Sequence, residues 1–192
     1  MRFILEDQLP GIVVDEAGDG EEALGLLANP YDVVVLDLMM PGRSGIDLLA
    51  EIKHRSPKLP VIIMSLHGEE QFAVRALRAG ASGYLTKSTA PEHLVTAVVK
   101  VAKGGRYVSE TLADMLAADV GGKAVAAPHE RLSDREFEVM CAIASGKTAS
   151  AIAETLHLSV KTVSTYRARL LEKMGMTTNS ELTRYALENK LV

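Results

Sequence analysis

Three apolar runs constrain this chain most: YDVVVLDL at residues 31–38, LPVIIMS at 59–65 and SGYLTK at 82–87. The first is continuous in its middle, as expected for a strand buried on both faces. Helical patterns separate the runs. Residues 44–55 place Ile46, Leu49 and Ile52 on one side, and residues 69–79 read as a helix between the second and third runs. Another helix, 91–103, follows with Pro91 near its first turn. Upstream, GIVVDEA reads as a strand and 19–28 as a helix with Pro30 beyond its end. This alternation predicts a parallel sheet covered by helices on both faces.

The chain has 192 residues, 47% hydrophobic and 24% charged, enough for one large domain or two small ones with real cores. No apolar run approaches the roughly 18 residues of a membrane span. No basic-then-apolar secretion signal opens the sequence. One cysteine, Cys141, excludes an internal disulfide and fits a reducing cytoplasm. Charge divides unevenly: residues 1–127 hold 12 Lys/Arg against 17 Asp/Glu, while 128–192 hold 9 against 8. The C-terminal part is not basic overall, so nucleic-acid binding there requires local clustering.

The composition shift divides the chain into an α/β part over residues 1–108, a linker over 109–131 and a helical part over 132–192. The linker holds one short helix near 109–118, with Ser109 as its N-cap, and then a flexible Gly-Gly-Lys and Ala-Pro stretch. In the helical part, Ser133 and Glu136 have the spacing of a capping box, and so do Thr178 and Glu181. Gly146 and Gly175 stop the first and third of four predicted helices.

ASAIAETLHLSVKTVSTYRARLLEKMG has the form of a helix-turn-helix, two helices joined around His157–Ser159. On the second, 159–174, Val163, Leu170 and Met174 cluster on one side with Leu171 flanking. Lys161, Ser164, Thr165 and Ala168 lie broadly opposite, with Arg169 at the edge. Hydroxyls, a small apolar group and a lysine suit base edges, and further cations suit phosphates. Glu172 limits groove entry to the helix's N-terminal half. Arg167 falls near the apolar side and is expected to form a structural ion pair with Glu136 or Glu154. The competing reading is a solvated helix in a small bundle.

The stretch LSDREFEVMCAIASGKTASAIAETLHLSVKTVSTYRARLLEKMGM resembles the LuxR-type DNA-binding domain of NarL/FixJ-family response regulators. The resemblance implies a four-helix module whose third helix reads the major groove of double-stranded DNA. It implies phosphate contacts from Arg169 and Lys173, and a homodimer through the fourth helix, from Glu181 to Leu187, and/or through the α/β domain. The candidate DNA-facing set is then Lys161, Thr162, Ser164, Thr165, Tyr166, Ala168, Arg169 and Lys173.

In the α/β part, Asp37 stands at the carboxyl end of a buried strand, where open α/β sheets gather their chemistry. A carboxylate held there suits nucleophilic attack on a phosphoryl group. Ser65 and Lys87 end the next two runs and could offer a hydroxyl and an ammonium. Mg²⁺, which prefers carboxylates and phosphate oxygens, would be a third partner. Singly, each residue is more often a cap or a solvated loop group. Three in register at consecutive strand ends make coincidence a poor account.

Residues 11–103 resemble the receiver domain of the same family, through EAGDGEEAL, VVLDLMMPGRSGIDLL, IIMS, ALRAGASGYLTK and EHLVTAV. By that resemblance the fold is a flavodoxin-like parallel sheet and Asp37 is the phosphoacceptor served by a sensor histidine kinase. Ser65 and Lys87 become the signalling hydroxyl and lysine, Tyr84 the aromatic switch, and the Met39 carbonyl a metal ligand. Ser88 follows the lysine where many receivers have proline.

A receiver begins with a strand ending in two acids, then a helix. Here only residues 8–11 separate Asp7 from the run starting at Ile12, and a parallel crossover takes at least about 10–12 residues. Met1 to Leu5 is therefore expected to be the end of a first helix, with the first strand missing. The alternative is an altered first strand, formed as an antiparallel hairpin that lets Glu6 and Asp7 join the metal site. Either way the 2-1-3-4-5 strand order is disturbed, and weak or absent Mg²⁺-dependent phosphorylation is expected. The leading functional reading is a two-component transcription regulator controlled through Asp37. A second is a phosphorylation-independent regulator with a dimerising receiver. A third, an aspartyl phosphohydrolase, lacks its usual second acid because Met39 stands there.

Overall fold

A computed structural model describes residues 1–38, 44–65, 69–121, 127–189 and 191–192. The chain divides into two compact units, Met1–Gly121 and Gly122–Val192.

The first unit runs α1 (Arg2–Gln8), α2 (Gly20–Leu26), β1 (Val34–Asp37), α3 (Gly45–Arg55), β2 (Val61–Ser65), α4 (Glu69–Arg78), β3 (Gly83–Thr86), α5 (Ala90–Ala102) and α6 (Glu110–Gly121). The sheet is parallel, in the order β1-β2-β3. Val34 pairs with Val61 and Asp37 with Met64, while Ser65 pairs with Thr86. Every residue of β2 is buried, as a central parallel strand requires. Ile62, Met64 and Leu85 of the sheet pack with Leu94, Ala97, Val98 and Val101 of α5 and with Leu5 of α1.

Local signals decide the helix ends. Asp19 caps α2 by accepting from the amides of Glu21 and Glu22, both at 2.9 Å. Gly45 opens α3 where a Cβ would come within 2.6 Å of the Leu38 Cα, so this helix can lie hard against the end of β1. The helix expected around 109–118 is α6, with Ser109 Oγ accepting from the Leu112 amide at 3.2 Å. It packs on α4.

The N-terminal segment departs from part of the expectation. Residues 2–8 are helical, so the helix-end reading holds and the hairpin does not form. Residues 12–17, expected as a strand, have no ladder among the described residues. Their β-branched composition is suitable, but a strand exists only with a hydrogen-bonding neighbour, and among the described residues no strand pairs with them. Ile12 and Val14 still pack on the sheet core. Between this segment and β1 runs an apolar cleft of about 950 Å³, its walls including Leu9, Val14, Val33, Val35 and Leu94.

The second unit comprises a 3₁₀ turn (Pro128–Arg131), α7 (Asp134–Ala144), α8 (Ala149–Thr155), α9 (Val160–Met174) and α10 (Asn179–Glu188). Both capping boxes are present, Ser133 with Glu136 and Thr178 with Glu181. Each satisfies two orphan amide donors. Phe137, Met140, Leu170 and Leu182, all 0% exposed, form part of the closed core. The α8–α9 turn uses His157 at φ 52°, in the left-handed region. The amides of His157 and Leu158 donate to the carbonyls of Glu154 and Ala153, a Schellman ending with histidine where glycine is usual.

Candidate functional site

The carboxyl edge of the sheet brings three expected residues to neighbouring strand ends. Asp37 ends β1 and Ser65 ends β2, while Lys87 directly follows β3. The Lys87 backbone amide donates to the Ser65 carbonyl at 2.7 Å, which fixes the lysine beside the central strand. Its ammonium donates to Asp37 Oδ2. The Asp37 side chain is 27% exposed, so the carboxylate is held and still reachable from solvent. Ser65 is fully buried and Tyr84 nearly so. Tyr84 lies on β3 opposite Ile63.

This arrangement can present one oriented carboxylate, with a fixed cation beside it to offset added negative charge. Divalent metal binding is another matter. The Met39 carbonyl lies outside the described residues. Glu6, on helical α1, accepts from Arg2 Nε at 2.7 Å. Among the described residues no group of three His, Cys, Asp or Glu could hold a metal ion. Mg²⁺ is the ion receivers typically use; among the described residues, Glu6 and Asp7 lie on helix α1 and form no such group with Asp37.

The second candidate surface is α9. Ser159 caps it, accepting from the Thr162 amide at 3.0 Å, and its hydroxyl also bonds the Thr162 hydroxyl at 2.8 Å. Val163, Leu170, Leu171 and Met174 are buried, as their spacing predicts. Lys161, Ser164, Thr165, Ala168 and Arg169 are exposed, with Thr162 and Tyr166 half-buried. Ser164 and Thr165 donate their hydroxyl protons to the carbonyls of Val160 and Lys161, both at 3.0 Å. Their oxygens remain acceptors, able to take a donor from a base edge.

One expectation about this helix needs correction. Arg167 forms no ion pair with Glu136 or Glu154; its Nε donates to Asn179 Oδ1 at 2.6 Å. Asn179 is the first residue of α10, so this bond ties α9 to the start of that helix. The partner of Glu136 is Lys173, at 2.7 Å. Lys173, expected on a phosphate, makes this pair while its side chain stays 43% exposed. Burial alone would raise the Glu136 carboxyl, whose side chain is 4% exposed. The Lys173 ammonium and the Ser133 amide and hydroxyl outweigh that and hold it below the usual carboxylate range.

Sequence reasoning missed two further contacts of this unit. Arg135 and Glu138 form a buried pair at 2.7 Å; their i,i+3 spacing was the available signal. His129 Nδ1 shares a 2.7 Å hydrogen bond with the Tyr185 hydroxyl, across a distance in sequence that no local pattern reveals.

Comparison with known families decides between a bare fold likeness and kinship. Residues 1–99 match the response regulator receiver domain, and 130–186 match the bacterial regulatory proteins of the luxR family. The chain belongs to the LuxR-type response regulators. The response regulator UvrY of Escherichia coli K12 is 36% identical over 194 residues, covering 100% of this chain and 88% of that one. Response regulator GacA of Pseudomonas aeruginosa is 35% identical over 182 residues, covering 94% and 85%. Among solved structures, the response regulator RcsB of Salmonella typhimurium matches with a TM-score of 0.55 at 29% identity, over 96% of this chain and 89% of that one. Another RcsB structure, bound to promoter rprA in the presence of phosphomimetic BeF₃⁻, gives a TM-score of 0.59 at 26% identity, with the same coverage. This response regulator thus pairs a receiver with a LuxR-type DNA-binding domain. No helix among its described residues is long and apolar enough to cross a membrane.

Proposed function

We propose that this response regulator binds double-stranded DNA with the N-terminal half of α9 in the major groove, and that Asp37 is its phosphoacceptor. The observation that carries the DNA reading is the division of α9 into a buried apolar stripe and an exposed face. That face holds Lys161, Ser164, Thr165, Ala168 and Arg169, with Thr162 and Tyr166 beside it. In this reading the DNA-binding domain is 132–192, and the stretch 109–131, whose helix α6 packs on α4, leads to it from the receiver. RcsB is described as two dimers on two parallel DNAs. A dimer here would use α10, whose Leu187 is 60% exposed within the stretch from Glu181 to Leu187, and/or the receiver.

Control would run from a sensor histidine kinase in the cytoplasm to Asp37, with Lys87 offsetting the added phosphoryl charge and Ser65 and Tyr84 adjusting packing behind it. The protein acts by binding and not by turnover, since the position two residues after Asp37 is Met39. A second reading is favoured by one observation: Asp37 is joined by Lys87, and among the described residues no group of three His, Cys, Asp or Glu could hold a metal ion. In that reading the receiver only mediates dimerisation, without Mg²⁺-dependent phosphorylation. Acetyl phosphate treatment followed by intact-mass measurement, with DNA affinity compared for wild type and Asp37→Ala, separates the two. Phosphoryl incorporation that raises wild-type affinity, and its loss in the variant, supports control through Asp37. No incorporation and equal affinities support the second reading.

A further inference from the structure

A pocket of about 390 Å³ opens at the amino edge of the sheet. Pro60 and Ser82, which immediately precede β2 and β3, line it. It therefore stands at the opposite strand ends from Asp37, Ser65 and Lys87. Its charge is one-sided. Lys53 on α3, Lys58 in the turn after α3 and Arg106 beyond α5 line it together. Among the described residues of that lining there is no Asp or Glu, although acids outnumber bases by 17 to 12 over residues 1–127.

Cations are expected in the last turn of a helix, where they offset its dipole, and that accounts for Lys53. Lys58 and Arg106 lie beyond the ends of α3 and α5 and have no carboxylate partner among the described residues. Lys53 donates one ammonium proton to the Leu59 carbonyl at 2.7 Å, which leaves it two donors. Burial and the Arg106 guanidinium nearby push this ammonium below its ordinary range. Like charges gathered without a counter-charge are destabilising, and an anion among them reverses the sign.

The uncharged groups narrow the choice of anion. The Ser82 hydroxyl is half-buried and has no hydrogen-bond partner among the described residues, so it can donate to an oxyanion. A guanidinium fork, two ammonium groups and a hydroxyl match the oxygens of a phosphate monoester. Pro57 and Pro60 supply an apolar wall beside them. The volume lies toward the lower end of small-molecule sites, enough for a flat body against the proline rings.

We propose that this pocket binds a phosphate monoester with a planar apolar body, such as a nucleoside monophosphate, held by Lys53, Lys58, Ser82 and Arg106. The test is calorimetric titration of the full-length chain with adenosine monophosphate, with amide shifts followed in isotope-labelled protein. Saturable binding is expected, with shifts at Lys58, Ser82 and Arg106. Adenosine, which lacks the phosphate, should not bind. Ribose phosphate, which lacks the planar body, should bind at least about fivefold more weakly. Arg106→Ala should weaken binding at least about tenfold, and Arg106→Glu should abolish it. Lys58→Glu, also at an exposed position, gives an independent loss, and unchanged thermal midpoints without ligand show that the fold is kept. The proposal is overturned by absent saturation, by shifts confined to the surroundings of Asp37 or to α9, or by full affinity in the two glutamate variants. Equal affinity for adenosine or for ribose phosphate overturns it as well.

Discussion

The two units satisfy their polar backbone in opposite ways. In the helical unit the partners are close in sequence: Ser133 with Glu136, Thr148 with the Ala151 amide, Ser159 with the Thr162 amide, Thr178 with Glu181. In the receiver, β1 depends on neighbours far along the chain, and among the described residues it has a ladder on one side only. Short-range capping makes a module self-sufficient, whereas a parallel sheet is complete only when every crossover is. The helical unit is therefore expected to be the stable part and the edge beside β1 the adaptable part.

Core truncations should expose this contrast most strongly. Phe137→Ala, at a fully buried position of α7, is expected to cost about 3–5 kcal/mol. Ile12→Ala, on the half-buried wall of the cleft, should cost only about 1 kcal/mol, because the side chain gives up less buried apolar area. Urea denaturation of each variant checks both values. Equal costs would remove the distinction between a closed core and an open one.

Acid should sharpen it next. The Glu136 carboxyl is held below the usual range, and Glu181 is lowered to about 2 by the amides of Thr177 and Thr178. A depressed carboxyl adds stability above its unfolded pKa and loses it as pH falls through the folded value. The helical unit should thus lose this contribution below the ordinary glutamate range, with the Glu181 part fading toward about pH 2. Lys173→Met takes the cation from a nearly buried carboxylate. It should cost about 1–2 kcal/mol near neutrality, after allowing for the exposed lysine. Its acid transition should move to higher pH. Circular dichroism across a pH series reads this directly.

The smallest effect concerns the turn before α9. His157 occupies a left-handed conformation in which glycine is less strained. His157→Gly should leave stability unchanged or raise it by about half a kcal/mol, the relief of strain offset by unfolded-state entropy. A thermal melt showing marked destabilisation would mean that the imidazole makes a contact the turn geometry does not require.

These outcomes bear on what could be read without coordinates. Asp37, Ser65 and Lys87 were legible because each ends or follows an apolar run, and parallel strands align their ends. The capping boxes were legible because their partners lie three residues apart. The state of residues 12–17 was not, since GIVVDEA has β propensity whether or not a neighbour exists. Nor was the choice of Lys173 over Arg167 for Glu136. Both cations are on α9, and only the packed position of the helix decides which ammonium or guanidinium reaches a carboxylate 37 or 31 residues away in sequence.

The central claim is that DNA meets the exposed face of α9 while Lys173 belongs to the scaffold. Measuring DNA affinity against salt for the full-length chain on a mixed-sequence duplex tests it, since each phosphate contact contributes about 0.9 to the slope of log affinity on log salt. Lys161→Ala and Arg169→Ala should each weaken binding and lower that slope by about one, and Lys173→Met should leave the slope unchanged. An unchanged slope in the first two variants, or a lowered one in the third, would contradict the account.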